Sequence, residues 1–569
     1  MRRDTDPYHS DQPRTLERLA QVARLYPALI LVPVGILIVA LVVMGIGTLS
    51  YLTAASAYGG GTAAPSSAQS SNVTSHTNVT SPATIALENS NNGTYNWIIA
   101  PKQAATTQIQ AYAGSTVVGP GQKLTFYTSV QNNGTPYTID FYRLGWYSRA
   151  GGRLMMSVHL TGQAQGYYDQ ATRKLVNCDS CQIDPSTHLV AANWKPSYVL
   201  DTPESWVTGV YEAKFTDAHG MQTYVTFDVT GNPRSTYLAV TADTTEAAYN
   251  QWGGYSLYEG PDSSYQSRAY KVSLDRPVAG VGASQGINYE INTIRWLEMH
   301  GYDVAYTSIT DVHQYPAQLL QHKAILFLGH NEYWSKGVRD AAEAARDAGV
   351  GLAFMSADDA AWQMRYEPDS SQTPDRTIVC YKSAALDPMN GVDNAVVTVN
   401  WRSAPVSRPE NALIGIMYSS LSKSPPGFQW WLSSSANSPL LTKTGLAPHQ
   451  GYGCDIVGYE WDRIFDNGAT PAGLVTLGSS PTRSSSSSSE SSGSSSGSGA
   501  TADLSNTTYY IAPSGAMVFA SGSIFWSYAL DSFRFTPHPE CADATAPIPG
   551  LQALMANVMA ALIIKQTPH

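Results

Sequence analysis

The sequence of 569 residues has few charged side chains, few cysteines and no cluster of Lys and Arg beyond its N-terminal end. Charged residues make up only 14% of the chain, and the formal net charge is −10. A surface that binds nucleic acid needs clustered Lys and Arg to neutralise phosphates, so this composition argues against nucleic acid as a partner. Tyr and Gly are abundant instead, which is typical of a β-rich protein with many turns. The length predicts two or more domains.

The cysteines are few and odd in number, namely Cys178, Cys181, Cys380, Cys454 and Cys541. An odd number leaves at least one thiol unpaired within the chain. The C-D-S-C stretch has the spacing of a zinc knuckle, but no second pair of cysteines accompanies it. We therefore predict a local disulfide between Cys178 and Cys181, formed in an oxidising compartment. Cys454 is a poor candidate nucleophile, because Asp455 follows it where a nucleophile elbow needs a small residue.

One long apolar run dominates the N-terminal region. Residues 25–52 contain no charged side chain, and about 20 apolar residues are enough for a helix to cross a bilayer. Five arginines precede the run, whereas the next Lys or Arg after it is Lys102. By the positive-inside rule, we expect residues 1–24 in the cytoplasm, a single transmembrane helix over 25–52, and the bulk of the chain outside the cell membrane. An A-x-A pattern at 55–57 leaves cleavage of this segment open.

The next two segments differ in composition. Residues 53–94 are rich in Ser, Thr, Gly, Ala and Asn, which predicts a flexible stalk. Residues 95–231 contain short runs of alternating polarity, such as "KLTFYTSV" and "TYVTFDV", bounded by Gly, Pro, Asn or Asp. Short strands at this spacing predict an antiparallel β-sandwich.

From residue 236 onwards, strand patterns alternate with helical patterns. The apolar run "AILFLG" is followed by an amphipathic stretch that begins after Ser335 and stops at Gly349, and "VGLAFMSA" then has the pattern of another buried strand. Such alternation predicts βαβ units and a parallel sheet. We therefore expect 236–545 to form an α/β domain with added strands, and the whole chain to be a multidomain protein of the α+β or α/β class.

Two further segments differ in composition from the rest of the domain: one is of low complexity, and the other is apolar. The Ser-rich tract at 484–500 predicts a disordered insertion in the α/β domain. Residues 546–569 are largely apolar and predict a C-terminal helix that packs on the domain rather than a second membrane span.

Titratable side chains gather where two predicted strands end. His330, Glu332 and Tyr333 follow one strand, and Asp358 and Asp359 follow the next. In open α/β sheets, ligands bind beyond the carboxyl ends of the strands, so these residues are candidates for an active site. The histidine and the glutamate fit a general acid–base pair or, equally, a buried ion pair that holds the loop. The two aspartates fit a site or the cap of a following helix.

Several motifs resemble the large (β) subunit of N,N-dimethylformamidase and its bacterial relatives. The motifs are "GHNEYWS" (329–335), "GYEWDR" (458–463), "RLGWY" (143–147), "AYNQWGGYSLY" (248–258) and "APSGAMVFASGSIFWSYALD" (512–531). The resemblance covers most of 95–535 in order and spacing. It implies a β-sandwich followed by an α/β domain related to the glutamine-amidotransferase and ThuA-like folds.

The resemblance also implies a metal site that hydrolyses a small amide with one iron ion held by two tyrosines and one glutamate. Tyr333 matches the first tyrosine and Glu460 matches the glutamate, whereas Ala361 occupies the position of the second tyrosine. Gly458 stands where the family has a histidine. Four side chains near the expected pocket are candidate substitute ligands, namely His330, Asp358, Asp359 and Tyr366.

Two functions from different classes follow. One is a membrane-anchored, extracytoplasmic, metal-dependent hydrolase of small linear amides, with His330 and Glu332 as catalytic residues. The other is a catalytically inactive surface protein that keeps the fold to bind a small ligand or a glycan, because one metal ligand is missing at Ala361. The expected partners are the membrane, through 25–52, and a small amide or surface ligand, with homo-oligomerisation left open.

Overall fold

A computed structural model describes residues 82–280, 285–422, 427–484, 501–534, 541 and 546–567. Within these ranges there are 27 β-strands and only seven α-helices, so the protein is a β-rich multidomain fold. The predicted class, an α+β or α/β protein with a membrane helix, is therefore wrong. The helical patterns are real but few, because many short strand pairs lie between and after the helices that the sequence pattern indicates.

A sandwich-like arrangement occupies the first part of the described chain. A five-stranded sheet has the order β2-β12-β11-β4-β5, and a three-stranded sheet has the order β1-β3-β10. Apart from the parallel pair β2/β12, their strands run antiparallel. The strands are β1 (Ile109–Ala113), β2 (Val117–Val118), β3 (Lys123–Val130), β4 (Pro136–Leu144), β5 (Gly152–Thr161), β10 (Tyr198–Asp201), β11 (Gly209–Asp217) and β12 (Gln222–Val229).

The alternating polarity of these strands explains their packing. In β3 and β4, alternate side chains are buried, as expected for strands with one face against a core. Four phenylalanines meet in that core with ring centroids 5.6–6.4 Å apart, namely Phe126, Phe141, Phe215 and Phe227. Two small hairpins lie between β5 and β10 along the chain, β6 (Tyr167–Asp169) with β7 (Lys174–Val176) and β8 (Gln182–Ile183) with β9 (Val190–Ala191).

A seven-stranded sheet forms the centre of the remaining chain, with the order β15-β13-β16-β18-β27-β26-β25. The first five strands are parallel, and the last two are antiparallel additions. The strands are β13 (Tyr237–Thr241), β15 (Val304–Ser308), β16 (Ala324–Phe327), β18 (Gly351–Phe354), β25 (Val475–Ser484), β26 (Thr501–Ile511) and β27 (Met517–Ala520). The parallel strands are fully buried, as is usual when both faces of a sheet are covered.

A four-stranded sheet and two strand pairs lie beside this sheet. The four-stranded sheet has the order β14-β20-β19-β17. Its strands are β14 (Lys271–Ser273), β17 (Tyr333–Ser335), β19 (Trp362–Glu367) and β20 (Thr377–Val379), and the pairs are β21 (Met417–Leu421) with β24 (Glu460–Arg463) and β22 (Phe428–Trp431) with β23 (Gly451–Val457).

The helices follow the pattern that was expected for the βαβ region. They are α1 (Pro82–Asn89), α2 (Asp243–Tyr249), α3 (Gln285–Met299), α4 (Ile309–Gln314), α5 (Lys336–Ala348), α6 (Asn411–Ile414) and α7 (Pro549–Leu562). The predicted boundaries of α5 are confirmed, because the Ser335 hydroxyl accepts a hydrogen bond from the Val338 amide and Gly349 ends the helix in the left-handed conformation. This helix connects β16 and β18, which are parallel neighbours.

The predicted membrane anchor finds no support. No helix in the described part of the chain combines the length and the apolar character that a membrane span requires. The segment 25–52, which was predicted to be that helix, lies outside the described residues, as do the tail 1–24 and the greater part of the stalk. The prediction of a single-pass membrane protein is therefore not supported by the described residues.

Both ends of the described chain pack against the rest. Residues 82–94 were assigned to the stalk, yet they include α1, whose Ile85 is buried and whose Asn89 donates a hydrogen bond to Glu298 on α3. At the other end, α7 buries six apolar side chains, and the Met559 carbonyl accepts a hydrogen bond from Tyr237. Apart from Ser484, the Ser-rich insertion falls outside the described residues.

The cysteines pair largely as expected. The predicted local disulfide between Cys178 and Cys181 is confirmed. A second disulfide joins Cys454 to Cys541, which ties β23 to the segment before α7 and removes Cys454 from any nucleophilic role. Cys380 is the buried free thiol that the odd number requires.

Candidate active site

Three elements bring acidic groups and one imidazole to the same place. His330 follows the carboxyl end of β16, Asp358 follows the carboxyl end of β18, and Glu460 begins β24. The neighbouring strands β16 and β18 are parallel, so the segments that leave them start at the same edge of the sheet. Gly329 turns the chain there with φ +62°, and a Cβ atom at this position would lie 2.6 Å from Glu290 Cγ. Only glycine fits that turn.

The imidazole of His330 lies at the centre of three carboxylates. Its Nε2 atom is 3.0 Å from Glu460 Oε2, 3.4 Å from Glu332 Oε2 and 3.8 Å from Asp358 Oδ2. The donor atoms of His330, Asp358 and Glu460 all lie within 4.8 Å of one another. All four residues are buried, with at most 5% of their surface exposed. We refer to these four residues as the His330 cluster.

Several polar atoms of this cluster have no hydrogen bond among the described residues. They are His330 Nε2, Glu332 Oε2, Asp358 Oδ1 and Glu460 Oε2. A buried polar atom without a hydrogen bond costs about 1–3 kcal/mol. His330 Nε2 lies at ion-pair distance from Glu460 Oε2 and Glu332 Oε2, but this contact offsets the cost only while the imidazole is protonated. One imidazole nitrogen and two carboxylate oxygens within 4.8 Å of one another are suitable donors for a divalent metal ion.

The electrostatics of the cluster show the same excess of negative charge. Burial opposes protonation of His330, but Glu460, Asp358 and Glu332 outweigh it and raise the pKa of the imidazole well above its usual value. Burial raises the pKa of Glu332, although His330 and Lys382 oppose that shift. Burial, followed by the nearby Glu332, raises the pKa of Asp358 well above its usual value. The carboxylates therefore need a proton or a cation as neighbour.

Asp359 lies beside the cluster rather than in it. Its burial, together with Asp462, raises the pKa of its carboxyl well above the usual value. Burial also raises the pKa of Asp462 to about 7, although Asp462 Oδ1 accepts a hydrogen bond of 2.8 Å from the Asp358 amide. No helix follows the two aspartates, because the chain enters β19 at Trp362, so the alternative role as a helix cap is wrong. Instead, Asp358 adopts φ +56°, and its amide is fixed by Asp462.

Tyr333 belongs to a different group of contacts from the one that the resemblance implies. Its hydroxyl donates to the hydroxyl of Tyr258 at 2.7 Å, and Tyr258 donates to Glu332 Oε1 at 2.5 Å. The ammonium of Lys382 lies 3.4 Å from the ring centroid of Tyr258, 4.4 Å from that of Trp362 and 5.2 Å from that of Tyr333. The phenol is therefore a hydrogen-bonded neighbour of the cluster, close to a positive charge.

The ligand set that the resemblance implies does not fit this chain. Ala361 is 3% exposed and packs with Tyr333, and it has no donor atom in place of the second tyrosine. Tyr366, a candidate substitute, donates its hydroxyl to Thr310 instead. Tyr366 also lies four residues along β19 from Trp362, the partner of Tyr333, or roughly 13 Å at the rise of a strand.

A second set of donors does fit a metal ion. His330 and Asp358, both named as substitutes from the sequence, lie with Glu460 in the arrangement described above. The predicted ligand Glu460 and the predicted catalytic residues His330 and Glu332 are thus neighbours. Gly458, where the resemblance implies a histidine, donates its amide to Ser523 Oγ and offers no side chain.

Tyrosines that the sequence analysis did not single out surround the cluster. The ring centroid of Tyr249 lies 5.5 Å from that of His330, and the Tyr459 ring lies edge-on at 6.1 Å. Tyr249 also stacks on Tyr258 at 4.2 Å. Two of them come from the motif at 248–258, which was quoted only for its resemblance. That motif begins in the last turn of α2 and was the available signal, whereas no motif pointed to Lys382.

The chain was compared with protein families, curated proteins and solved structures, and one family matches it. No curated protein matches this chain. Of the solved structures, a cycloisomaltooligosaccharide glucanotransferase of Paenibacillus sp., in complex with cycloisomaltoheptaose, matches at 7% identity and a TM-score of 0.14. That match covers 50% of this chain and 35% of the other, and its score is too low to support any argument. The family described as N,N-dimethylformamidase beta subunit-like, C-terminal, matches residues 138–543. The chain therefore belongs to the N,N-dimethylformamidase β-subunit-like family.

Proposed function

We propose that this protein is a metal-assisted hydrolase of small neutral amides, with its active site at the His330 cluster. The observation that carries the proposal is the convergence of three buried carboxylates on one buried imidazole, with bare polar atoms facing one another. Membership of a family named for an amidase subunit supports the same class of reaction.

His330, Asp358 and Glu460 are the residues that would hold the ion. They offer one imidazole nitrogen and two carboxylates, and three protein ligands are usual for a catalytic metal site. Such donors bind first-row divalent ions, iron included. When bound, the ion supplies Lewis acidity, which makes an amide carbonyl easier to attack.

Glu332 is suited to move the proton. Its Oε1 atom is occupied by Tyr258, while its Oε2 atom faces His330 without a hydrogen bond. As the oxygen of a water molecule bonds to the carbonyl carbon, Glu332 Oε2 accepts one proton from that water. It then gives the proton to the amide nitrogen as the C–N bond breaks. The products are a carboxylic acid and an amine.

The surroundings favour a small, uncharged substrate. Half-buried tyrosines, Tyr249 and Tyr459, flank the imidazole with their rings. Aromatic faces accommodate alkyl groups, and the deep burial of the cluster limits the access of water. A short N-alkyl amide matches both features.

Elemental analysis of the purified protein and an assay of amine release from N,N-dimethylformamide test the proposal together. We expect a near-stoichiometric first-row metal and measurable hydrolysis in the wild type, and the loss of both in His330→Ala. His322 is a matched control, because it is also buried and its Nδ1 atom bonds the backbone carbonyl of Ser235, away from the His330 cluster. His322→Asn should keep metal and activity. A correctly folded wild type without either property would contradict the proposal.

A further inference from the structure

A chain of hydroxyl groups leads from Tyr333 to the cluster. Tyr333 donates to Tyr258, and Tyr258 donates to Glu332 Oε1. A phenol has one proton to donate. Because the proton of Tyr258 is directed to Glu332, its oxygen is left as the acceptor for Tyr333. The direction of both hydrogen bonds is therefore fixed.

This direction distinguishes the two oxygens of Glu332. Oε1 accepts from Tyr258 and is held as an acceptor. Oε2 has no hydrogen bond among the described residues and lies 3.4 Å from His330 Nε2. Oε2 is therefore the oxygen of Glu332 that is left to face the cluster. The hydroxyls of Tyr333 and Tyr258 thus orient the Glu332 carboxylate so that its Oε2 atom is directed to the His330 cluster.

Lys382 holds the ring of Tyr258 in place. Its ammonium lies against three aromatic rings, closest to Tyr258 at 3.4 Å from the centroid. A cation over a ring face is attracted by about 0.5–2 kcal/mol, which holds the ring of Tyr258 in place. The same positive charge, 5.2 Å from the ring of Tyr333, repels a metal ion that would bind that phenol.

We propose that Tyr258 and Tyr333, held by Lys382, are positioning residues that aim Glu332 Oε2 at the reacting atoms, and that Tyr333 is not a metal ligand. The role given to Glu332 rests on the proposed function. The statement about Tyr333 rests only on the metal-binding part of that proposal, because it concerns which side chains hold the ion.

Metal titration and kinetics on the full-length chain test the two parts separately. The metal-free protein is titrated with Zn²⁺ and with Fe²⁺ by calorimetry, and hydrolysis of N,N-dimethylformamide is followed in parallel. For Tyr258→Phe and Tyr333→Phe we expect unchanged metal affinity, unchanged KM and a kcat lowered by about ten- to a hundredfold. Glu460→Gln, by contrast, should lose metal affinity.

Two further variants separate positioning from simple structural damage. Lys382→Met should lower kcat as the phenol variants do, and Lys382→Arg, which keeps the charge over the ring, should restore part of it. Tyr366 is the matched control, since it lies on β19, the strand that also carries Trp362, but donates its hydroxyl to Thr310 on α4. Tyr366→Phe should leave kcat and metal affinity unchanged.

The outcomes distinguish failure of this inference from failure of the proposed function. If Tyr333→Phe loses the metal as Glu460→Gln does, Tyr333 is a ligand and the inference is overturned. An active wild type whose kcat is unaffected in Tyr258→Phe overturns the positioning role alone. A wild type that binds the metal without hydrolysing the amide overturns the proposed function and the role of Glu332, while the titration still decides the role of Tyr333.

Discussion

Around His330 the buried carboxylates face one another and an imidazole, whereas near the boundary of the five-stranded and seven-stranded sheets each buried carboxyl faces its own donor. In that second place, the Thr226 hydroxyl lies 3.0 and 3.1 Å from the two oxygens of Glu212, and the Thr241 hydroxyl donates to Asp228 at 2.7 Å. Glu290, on α3, accepts from the backbone amide of Ala242 at 2.8 Å.

Burial without a countercharge keeps these boundary carboxyls protonated. It raises the pKa of both Glu212 and Glu290 to about 8, and that of Asp228 well above its usual value. A protonated carboxyl with one good donor is a neutral, satisfied group. The comparison therefore separates acids that each have a donor of their own from acids that converge on one imidazole, which we propose to hold a metal ion.

Replacing a Glu by Gln has its largest expected effect in the His330 cluster. Glu460→Gln keeps the shape of the side chain but removes a charged donor from the His330 cluster, so we expect metal affinity to be lost and kcat/KM to fall by about a thousandfold or more. Calorimetric titration and the amine-release assay measure these effects. Retention of full activity in this variant would place the active site elsewhere.

A third kind of buried acid sharpens the comparison. Glu298 forms two hydrogen bonds with the Arg143 guanidinium, at 2.7 and 2.8 Å, and both side chains are fully buried. Glu298→Gln leaves that cation uncompensated, which should lower the free energy of unfolding by about 3–5 kcal/mol. Denaturant unfolding at pH 7 measures the loss. A loss below about 1 kcal/mol would show that the pair contributes little.

Glu290→Gln should act in the opposite direction, with an effect that grows as the pH rises from about 4.5 to about 8. Because the folded pKa is about 8 and the unfolded one is near the usual value, the folded state holds a proton that the unfolded state has released. This contribution to stability is complete below the unfolded pKa and is lost as the pH rises through about 8. An amide cannot ionise, so the variant should match the wild type at pH 4 and be about 2–4 kcal/mol more stable at pH 9.

Thermal unfolding of the Glu290 variant across this pH range checks that sign. Equal stability of the variant and the wild type at pH 9 would mean that Glu290 ionises in the folded protein with an ordinary pKa. Metal content serves as the second readout, and it should not change, since Glu290 lies outside the His330 cluster.

The smallest expected effect concerns a single donor at the boundary. Thr226→Val removes the hydroxyl that lies against both oxygens of Glu212 and changes the side-chain shape little. Leaving one buried carboxyl without this donor should cost about 1 kcal/mol. Chemical denaturation at pH 6, where Glu212 is protonated, measures it. The matching Thr241→Val variant tests whether Asp228 depends on its donor to the same extent.

Local patterns predicted the central βαβ unit. The apolar runs before His330 and after Gly349 form β16 and β18, and the capping residues between them set the ends of α5. The predictions of β16, β18 and α5 are confirmed because a buried parallel strand and a capped amphipathic helix depend on residues close in sequence. The overall balance of strands and helices was misjudged, because short strand pairs such as β22 and β23 are stabilised by tertiary contacts that no local periodicity records.

By itself, the sequence determined the family, the local disulfide, the βαβ core and the placement of His330, Glu332 and Asp358 at strand ends. Only the tertiary structure decided that Glu460 lies 3.0 Å from His330 and that Tyr333 bonds Tyr258 beside Lys382. The physical reason is chain separation. Tyr333 and Tyr258 are 75 positions apart, and Glu460 and His330 are farther apart still. Such residues meet only because the sheets pack together, and that packing depends on the summed burial of many side chains rather than on any single motif.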